Sequence, residues 1–263
     1  MIQPDLTSIV RSGQILAETA RMCMDNITVG NTPQAIDTII HDFVISAGGA
    51  PSFLGFESYK YSGCISINNT LVHGLPTNIP FKDGDVVSID LGVQYNGWHT
   101  DGAFTTIIGS VSPHIHSALL ATRKALYNGI AVCLPGMRIG DISHAVQKVA
   151  DDNSLCIIKE LSGHGIGRHL HEPPSIPNFG TKGTGQMLSP GMVLAIEPIF
   201  AVPMSLPAPH HFTCPIKTAH DGWSIELNPT LIGVHFEHTV YITDSKPIIV
   251  TQFVRRSRHI VDT

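Results

Sequence analysis

The sequence predicts an α+β protein, because helical and strand patterns occur in blocks of helix pairs and hairpins. Two such blocks, each with helices ahead of a hairpin, indicate an internal duplication into two related halves. The length of 263 residues and the apolar fraction of 43% are sufficient for one large core. We therefore expect residues 1–263 to form a single domain.

The first block begins with an amphipathic helix over 6–24, where apolar residues recur at helical spacing. A second helix starts at Thr32-Pro33, an N-cap followed by proline, and stops at Gly48-Gly49. Residues 85–108 then predict a β-hairpin that turns at Asn96-Gly97, a dipeptide typical of two-residue hairpin loops. Two helices followed by a hairpin make up the first half.

The second block repeats this order, with helical patterns over 113–132 and 140–153. Residues 161–191 are rich in glycine, proline and histidine, so we expect an ordered loop region that carries function. Strand patterns follow at 192–198, 223–227, 232–243 and 247–250. The proline-rich segment 203–215 looks like an insertion, and a surface loop is the favoured interpretation because loops tolerate insertions at low cost. A modified rim of a binding pocket is the alternative.

Composition excludes several classes of protein. The net charge is −5 and charged residues make up only 14%, so no basic footprint for nucleic acid or acidic lipid is present. No segment has the run of about 20 apolar residues that a membrane span needs, and the N-terminus has no signal-peptide pattern. The five cysteines form no C-x-x-C pair, so we expect reduced thiols and a cytoplasmic protein.

Five side chains at separate places in the chain are suited to metal binding. Asp90 and Asp101 lie on the predicted hairpin, His164 is flanked by glycines, Glu197 ends an apolar strand, and Glu237 lies within another. Each has a structural alternative, such as a capping aspartate, a loop histidine or half of an ion pair. Four carboxylates with one imidazole exceed what a single zinc takes and suit manganese, iron or cobalt. The set predicts a two-metal site with a bridging water that becomes hydroxide.

The sequence around these residues resembles a known family. The sequence motifs that carry the resemblance are, in chain order, SIDLG, TDGAFT, GHGIGR-x-x-HEPP, IEP and FEHT. Together they are similar to methionine aminopeptidases of the bacterial type I class, and the similarity runs from the first helix to about residue 250. The resemblance implies a pita-bread fold, in which pseudo-twofold duplicated halves form a curved antiparallel sheet with flanking helices. It also implies that the sheet holds two divalent metal ions.

The resemblance implies a role for each of the five ligands. Asp90 would chelate one ion, and His164 with Glu197 would hold the other. Asp101 and Glu237 would bridge the two ions. A bridging hydroxide would then attack the first peptide carbonyl, and Glu197 matches the carboxylate that handles protons in the family.

Further site residues follow from the same resemblance. His171 matches the histidine that stabilises the tetrahedral oxyanion, and His73 matches the one near the scissile nitrogen. His169, two positions before His171, leaves open which of the two rings takes the role given to His171. The residues that correspond to the pocket for the methionine side chain are Phe53, Phe56, Tyr59, Cys64, Leu170 and Trp223. An aromatic and sulfur lining of this kind suits a thioether.

The implied function is metal-dependent removal of the initiator methionine from nascent proteins and peptides with a small second residue. The implied cofactors are two ions of cobalt, manganese or iron. We expect a monomer, with nascent chains as substrates and scope for transient ribosome association. One alternative is an X-Pro aminopeptidase or prolidase of the same fold, although those enzymes usually have an additional N-terminal domain. The other is a non-catalytic peptide-binding scaffold, in which lost ligands would be expected, whereas all five are present.

Overall fold

The computed structural model describes residues 4–206 and 213–253. Its helices are α1 (Leu6–Asn26), α2 (Pro33–Ser46), α3 (Pro113–Ala131) and α4 (Ile139–Asp152), with a short 3-10 turn at Phe56–Ser58. The Asp5 carboxylate caps α1 by accepting from the backbone N–H groups of Thr7 and Ser8. Thr32 caps α2 through the Ala35 N–H, and Pro33 occupies the first turn, as the sequence predicts.

The strands are mostly short. They are β1 (Ala50–Pro51), β2 (Gly63–Ile67), β3 (Thr70–Val72), β4 (Val86–Tyr95), β5 (Trp98–Ile107), β6 (Cys156–Ile157), β7 (Ser162–Gly165), β8 (Glu172–Pro177), β9 (Val193–Ile196), β10 (Ile199–Pro203), β11 (Lys217–Thr218), β12 (Ile225–Glu226), β13 (Leu231–His235), β14 (His238–Tyr241) and β15 (Ile248–Ile249). The ladders between them are antiparallel. The α+β fold class is confirmed.

The strands are grouped in four sheets. In the first half, β4 pairs with β1, β2 and β5. In the second half, one sheet has the order β15-β14-β9-β7-β8 and another the order β13-β10-β6. In the fourth sheet, β12 of the second half pairs with β11 on one side and with β3 of the first half on the other. Backbone hydrogen bonds between Ala103 of β5 and Glu237 join the two halves. The sheets therefore meet where β5 approaches the segment between β13 and β14.

Each half has its own helix pair. The pair α1 and α2 packs on β1, β2, β4 and β5, and the pair α3 and α4 packs on β6, β8, β9, β10 and β13. One continuous apolar core runs through both, from Leu16 and Ile40 in the first half to Leu126 and Val234 in the second. This repetition is the duplicated arrangement that the sequence predicts. In the part of the chain that is described, no helix is long and apolar enough to cross a bilayer.

Two expectations about the second half need correction. The segment 161–191 is not only a loop, since it contains β7 and β8, which pair with each other. The predicted strand over 232–243 is two strands, because the ladder of β13 with β10 ends at His235 and that of β14 with β9 begins at His238. Alternation of apolar residues does not reveal that a strand leaves one sheet for another.

The expectation of five reduced thiols is also wrong. Cys156 on β6 and Cys214 are joined by a disulfide, with Cα atoms 6.3 Å apart. The pairing was hidden by the separation of 58 positions between them. Cys23, Cys64 and Cys133 are free and buried. The cysteines therefore do not indicate a reducing compartment.

The disulfide lies near the C-terminal end of the predicted insertion 203–215, because Cys214 belongs to that segment. Pro203 is the last residue of β10, and the Met204 N–H donates to the Thr230 carbonyl oxygen. Residues 207–212 lie outside the described part of the chain. The insertion remains a prediction, and its described ends are held to β6 and to the segment before β13.

Candidate metal centre

The β4–β5 hairpin places two carboxylates on one face of a sheet. Asn96 and Gly97 form the turn with φ of 50° and 74°, the left-handed values that a tight hairpin loop needs. In the resulting register Asp90 is opposite Ala103, and Asp101 is opposite Gly92. The two aspartates are therefore diagonal neighbours on the same face, within reach of each other.

Two glutamates lie at breaks between strands. Glu197 separates β9 from β10, and Glu237 separates β13 from β14. These four strands pair on both sides of the breaks, with His238 opposite Ile196 and Ile199 opposite His235. The two glutamates are therefore at the same level of adjacent chain segments.

Hydrogen bonds tie Glu237 to the aspartate hairpin. The Glu237 N–H donates to the Ala103 carbonyl oxygen at 2.8 Å. The Asp101 N–H donates to Thr239 Oγ1, and that hydroxyl donates to the Asp101 carbonyl oxygen, both at 2.8 Å. This network fixes Asp101 beside Glu237.

The imidazole comes from β7, opposite Ala195 of β9. His164 Nδ1 lies 2.9 Å from the Gly165 carbonyl oxygen, so Nε2 is the nitrogen presented to the site. It is 3.6 Å from Glu197 Oε1. Glycines flank His164 because a Cβ at Gly163 would collide with the Ala195 carbonyl oxygen, and a Cβ at Gly165 would collide with the Pro173 carbonyl oxygen.

The five predicted ligands line one cavity of about 370 Å³. The same cavity is lined by all the residues predicted for the methionine pocket, which are Phe53, Phe56, Tyr59, Cys64, Leu170 and Trp223. Tyr59 and Trp223 meet edge to face, with ring centroids 4.9 Å apart. Cys64 is opposite Asp90 in the β2–β4 ladder, so the apolar wall begins next to the carboxylates. Tyr61 packs on Tyr59 and does not line the cavity.

His73 and His171 also line the cavity. The His171 ring meets His164 edge to face with centroids 4.5 Å apart, and it meets Phe56 at 5.2 Å. His73 follows β3 with φ of 57°, an uncommon backbone conformation for a residue other than glycine. His169 is exposed and does not line the cavity. Its backbone N–H donates to Glu172 Oε1. His171 is thus the ring that faces the site.

Sequence reasoning missed His235. Its Nε2 is 3.6 Å from Glu197 Oε2 and 3.7 Å from Glu237 Oε2, and the residue is only 2% exposed. A signal was present in the chain, because His235 is two positions before Glu237 and a strand directs such residues to the same side. Leu161, Ser162 and Ile199, which line the cavity too, have no comparable signal.

Burial shifts the protonation of the carboxylates toward the neutral form. It raises the pKa of Asp90 to about 6 and that of Glu197 to about 7. The pKa of Asp101 and that of Glu237 are raised well above their ordinary values, first by burial and then by neighbouring carboxylates. Burial lowers the pKa of His164 and of His235, so these rings are neutral. A site of this kind takes up either protons or cations.

Comparison with known proteins identifies the family. The model of metallopeptidase family M24 matches residues 7–244. The chain belongs to metallopeptidase family M24. It is 37% identical to methionine aminopeptidase 1 of Bacillus subtilis over 241 residues, which is 92% of this chain and 94% of that protein. The predicted resemblance is confirmed, and the chain is a hydrolase of the metalloexopeptidase kind.

Solved structures agree with this placement in family M24. The crystal structure of methionine aminopeptidase from Thermotoga maritima has a TM-score of 0.87 at 35% identity, covering 94% of this chain and 97% of that one. A prolidase from Pyrococcus furiosus has a TM-score of 0.74 at 22% identity, covering 95% of this chain and 64% of that one. At that identity the prolidase shares the fold alone.

The residues of this M24 chain fit the divalent metal ions that the family implies. Three groups of donors have all their ligand atoms within 4.8 Å of one another: Asp90, Asp101 and Glu237; His164, Glu197 and Glu237; Asp101, His164 and His171. Among the described residues, buried Asp90 Oδ1 and Glu237 Oε1 have no hydrogen-bond partner. Unpartnered buried oxygens carry a large desolvation cost that a bound cation offsets. Oxygen donors with one or two imidazoles suit hard or borderline ions.

Proposed function

We propose that this protein removes the N-terminal methionine from nascent proteins and peptides whose second residue is small. The observation that carries the proposal is the position of the apolar cavity wall directly beside the carboxylate cluster. A methionine side chain against Tyr59, Cys64 and Trp223 would bring the first peptide bond to Asp90 and Glu197. The relatives that match over most of the chain are methionine aminopeptidases.

We infer that the centre holds two ions. Asp101, His164 and Glu237 each belong to two of the three donor groups. Of these, only the two carboxylates have a second oxygen with which to bind a second ion, which supports bridging roles for Asp101 and Glu237. Asp90 would complete one group, and His164 with Glu197 would complete the other. Cobalt, manganese or iron fits four carboxylates and one imidazole better than a single zinc does. Metal analysis of protein purified without added metal tests this: one ion per chain, or zinc alone, counts against it.

The side chains around the centre would divide the reaction among them. Divalent ions supply an acidified water as nucleophile and polarise the scissile carbonyl. Glu197 would accept a proton on a carboxylate oxygen and return it to the leaving amine. His171 would donate a ring N–H to the developing oxyanion. His73, at the same cavity, would contact the scissile nitrogen.

The pocket lining supports selection of methionine. Phe53, Tyr59, Cys64 and Leu170 are buried, while Phe56 remains 36% exposed at the cavity edge. Aromatic edges and a thiol make favourable contacts with a thioether sulfur. A charged or strongly polar first side chain would lose its hydration there without compensation, which disfavours it.

We also propose the cellular setting that the family resemblance implies. The protein would act as a single-domain monomer in the cytoplasm, on chains that emerge from the ribosome. The segment 203–215 would be a surface insertion in that domain. Sedimentation of the purified protein, alone and with ribosomes, measures the oligomeric state and the ribosome association directly.

Two peptide substrates separate the candidate functions. Metal-loaded protein is incubated with Met-Ala-Ser and with an Ala-Pro peptide, and free amino acids are quantified. Release of methionine from the first peptide alone is the expected result. Cleavage of only the Ala-Pro peptide would make the protein an X-Pro peptidase, and cleavage of neither would favour the peptide-binding scaffold.

A further inference from the structure

His235 has a fixed backbone and a free ring nitrogen. Its N–H donates to Thr105 Oγ1 at 3.0 Å, and its carbonyl oxygen accepts from the same hydroxyl at 2.7 Å. These two hydrogen bonds hold the end of β13 against β5. The ring is buried, and Nε2 is one of the buried atoms without a hydrogen-bond partner among the described residues.

That nitrogen faces two carboxylates of the metal centre. Nε2 is 3.6 Å from Glu197 Oε2 and 3.7 Å from Glu237 Oε2. The other oxygen of Glu197, Oε1, is 3.6 Å from His164 Nε2. The two oxygens of Glu197 thus face two different imidazoles, one on each side of the carboxylate.

We propose that His235 is a positioning residue, whose Nε2–H donates to Glu197 Oε2 and leaves Oε1 for the ion shared with His164. The part of this inference that concerns kcat rests on the proposed function. A small side-chain rotation that brings the nitrogen to about 3.0 Å from the oxygen makes the hydrogen bond. A carboxylate held through one oxygen by an N–H donor presents the other oxygen to metal in a fixed direction. Glu237 Oε2 is the second acceptor within reach of the same N–H.

Two substitutions distinguish a role of the His235 ring as a hydrogen-bond donor from a role that only fills space. His235→Gln keeps an N–H donor near the position of Nε2, whereas His235→Met keeps the volume and removes the donor. Manganese binding to the metal-free proteins is measured by calorimetry, and kcat and KM are measured with Met-Ala-Ser. For H235M we expect metal affinity and kcat to fall about 10- to 100-fold, the usual cost of losing a partner of a metal ligand, with KM nearly unchanged. For H235Q we expect both quantities to stay close to those of the unsubstituted protein.

The absorption spectrum of the cobalt-loaded proteins adds a readout of the ligands themselves. The spectrum of H235Q should match that of the unsubstituted protein, because an imidazole that only positions Glu197 does not contact the ion. If H235Q is as defective as H235M and its spectrum changes, His235 is a ligand and the positioning role is wrong. Metal affinity and kcat unchanged in H235M would also overturn the proposal.

Folding and the proposed function are controlled separately. Thermal melts show whether H235M folds, and His235→Leu replaces it in the same comparison if it does not. If the unsubstituted protein releases no methionine, the proposed function fails. The dependence of manganese affinity on the N–H donor at position 235 still tests the inference in that case.

Discussion

At the scale of single residues, Glu237 shows how the requirements of the site oppose those of folding. It lies in the interior, only 2% exposed, with other carboxylates nearby, and its Oε1 has no hydrogen-bond partner within residues 4–206 and 213–253. In a protein without metal such a group costs free energy, because it is either a buried charge or a carboxyl that must hold a proton. In a protein with metal it becomes a ligand. The Glu237 side chain therefore destabilises the metal-free protein and stabilises the metal-bound one.

Glu237→Gln should accordingly have opposite effects on function and on stability. We expect methionine release to fall by more than about 100-fold and metal content to drop, since losing a partner of a ligand alone costs 10- to 100-fold. Without metal at pH 8, we expect the variant to be more stable by about 1–3 kcal/mol, because the neutral Gln side chain needs no proton uptake on folding, whereas the buried Glu237 carboxyl does. Peptidase assays, metal analysis and urea unfolding check these effects. The control is Asp152→Asn, at an exposed ion pair with Lys148, and it should change neither methionine release, metal content nor stability. If metal-free E237Q were less stable than the unsubstituted protein, the argument would be contradicted.

At the scale of elements, the site depends on how the hairpin turn is tied to the loop before His171. Arg168 Nη1 donates to the carbonyl oxygens of Asn96 and Gly97 at 3.1 and 3.3 Å. Its guanidinium also lies over the Trp98 ring, 4.3 Å from the centroid. The loop that carries His171 is thereby anchored to the hairpin that carries the aspartates.

Arg168→Gln should loosen that loop without removing a metal ligand. We expect kcat for Met-Ala-Ser to fall several-fold with metal content unchanged, because the His171 ring loses its fixed position. The stability cost should be about 1 kcal/mol, typical of an exposed cation–π contact with accompanying hydrogen bonds. Steady-state kinetics and metal analysis distinguish the outcomes. Arg21→Gln, at an exposed surface pair with Asp25, is the matched control; loss of metal in the Arg168 variant would argue against a pure loop effect.

The elements also show why sequence reasoning succeeded in some places and failed in others. The helices and the Asn96-Gly97 hairpin were predictable because caps, proline and turn residues act locally. The breaks at Glu197 and Glu237 were not, since period-two alternation is the same whichever sheet a strand joins. His235 was not predicted as a site residue because one of its two carboxylate neighbours, Glu197, lies on a distant segment of the chain, although its spacing from Glu237 was a local signal. The Cys156–Cys214 pairing depends on tertiary proximity alone, which spacing does not reveal.

At the scale of the whole molecule, the disulfide closes a loop of 58 positions between β6 and the segment after β10. Chain-entropy arguments give about 4 kcal/mol of stabilisation for a loop of this length. In denaturant without reductant, a thiol titration should count three thiols, those of Cys23, Cys64 and Cys133, and five after reduction. Cys214→Ser should lower the melting temperature to that of the reduced protein, and reductant should not lower it further. Five thiols before reduction would mean that the bond does not form.

The metal centre should also set the pH dependence of folding. In the metal-free protein, buried histidines such as His235 and His238 have lowered pKa values, so stability rises with pH until unfolded histidines lose their protons near 6.5. Above that point the raised carboxyls dominate. Glu197, with a pKa of about 7, and Glu237, with a higher one, still hold protons in the folded state that the unfolded chain has lost.

Between about pH 6.5 and 8, therefore, the metal-free protein should lose stability as pH rises, by up to about 1.4 kcal/mol per pH unit for each carboxyl that still holds a proton. We limit the prediction to below about pH 8, because the buried thiols of Cys23 and Cys133 have raised pKa values. Above that pH they also make the folded protein less stable as pH rises, and their effect would be mixed with that of the carboxyls. Saturating manganese should reverse the slope, since the ion competes with protons and binds better as pH rises. Urea unfolding at several pH values, with and without manganese, measures both slopes. Glu237→Gln should flatten the metal-free slope, and equal slopes with and without manganese would exclude these carboxylates as the metal ligands.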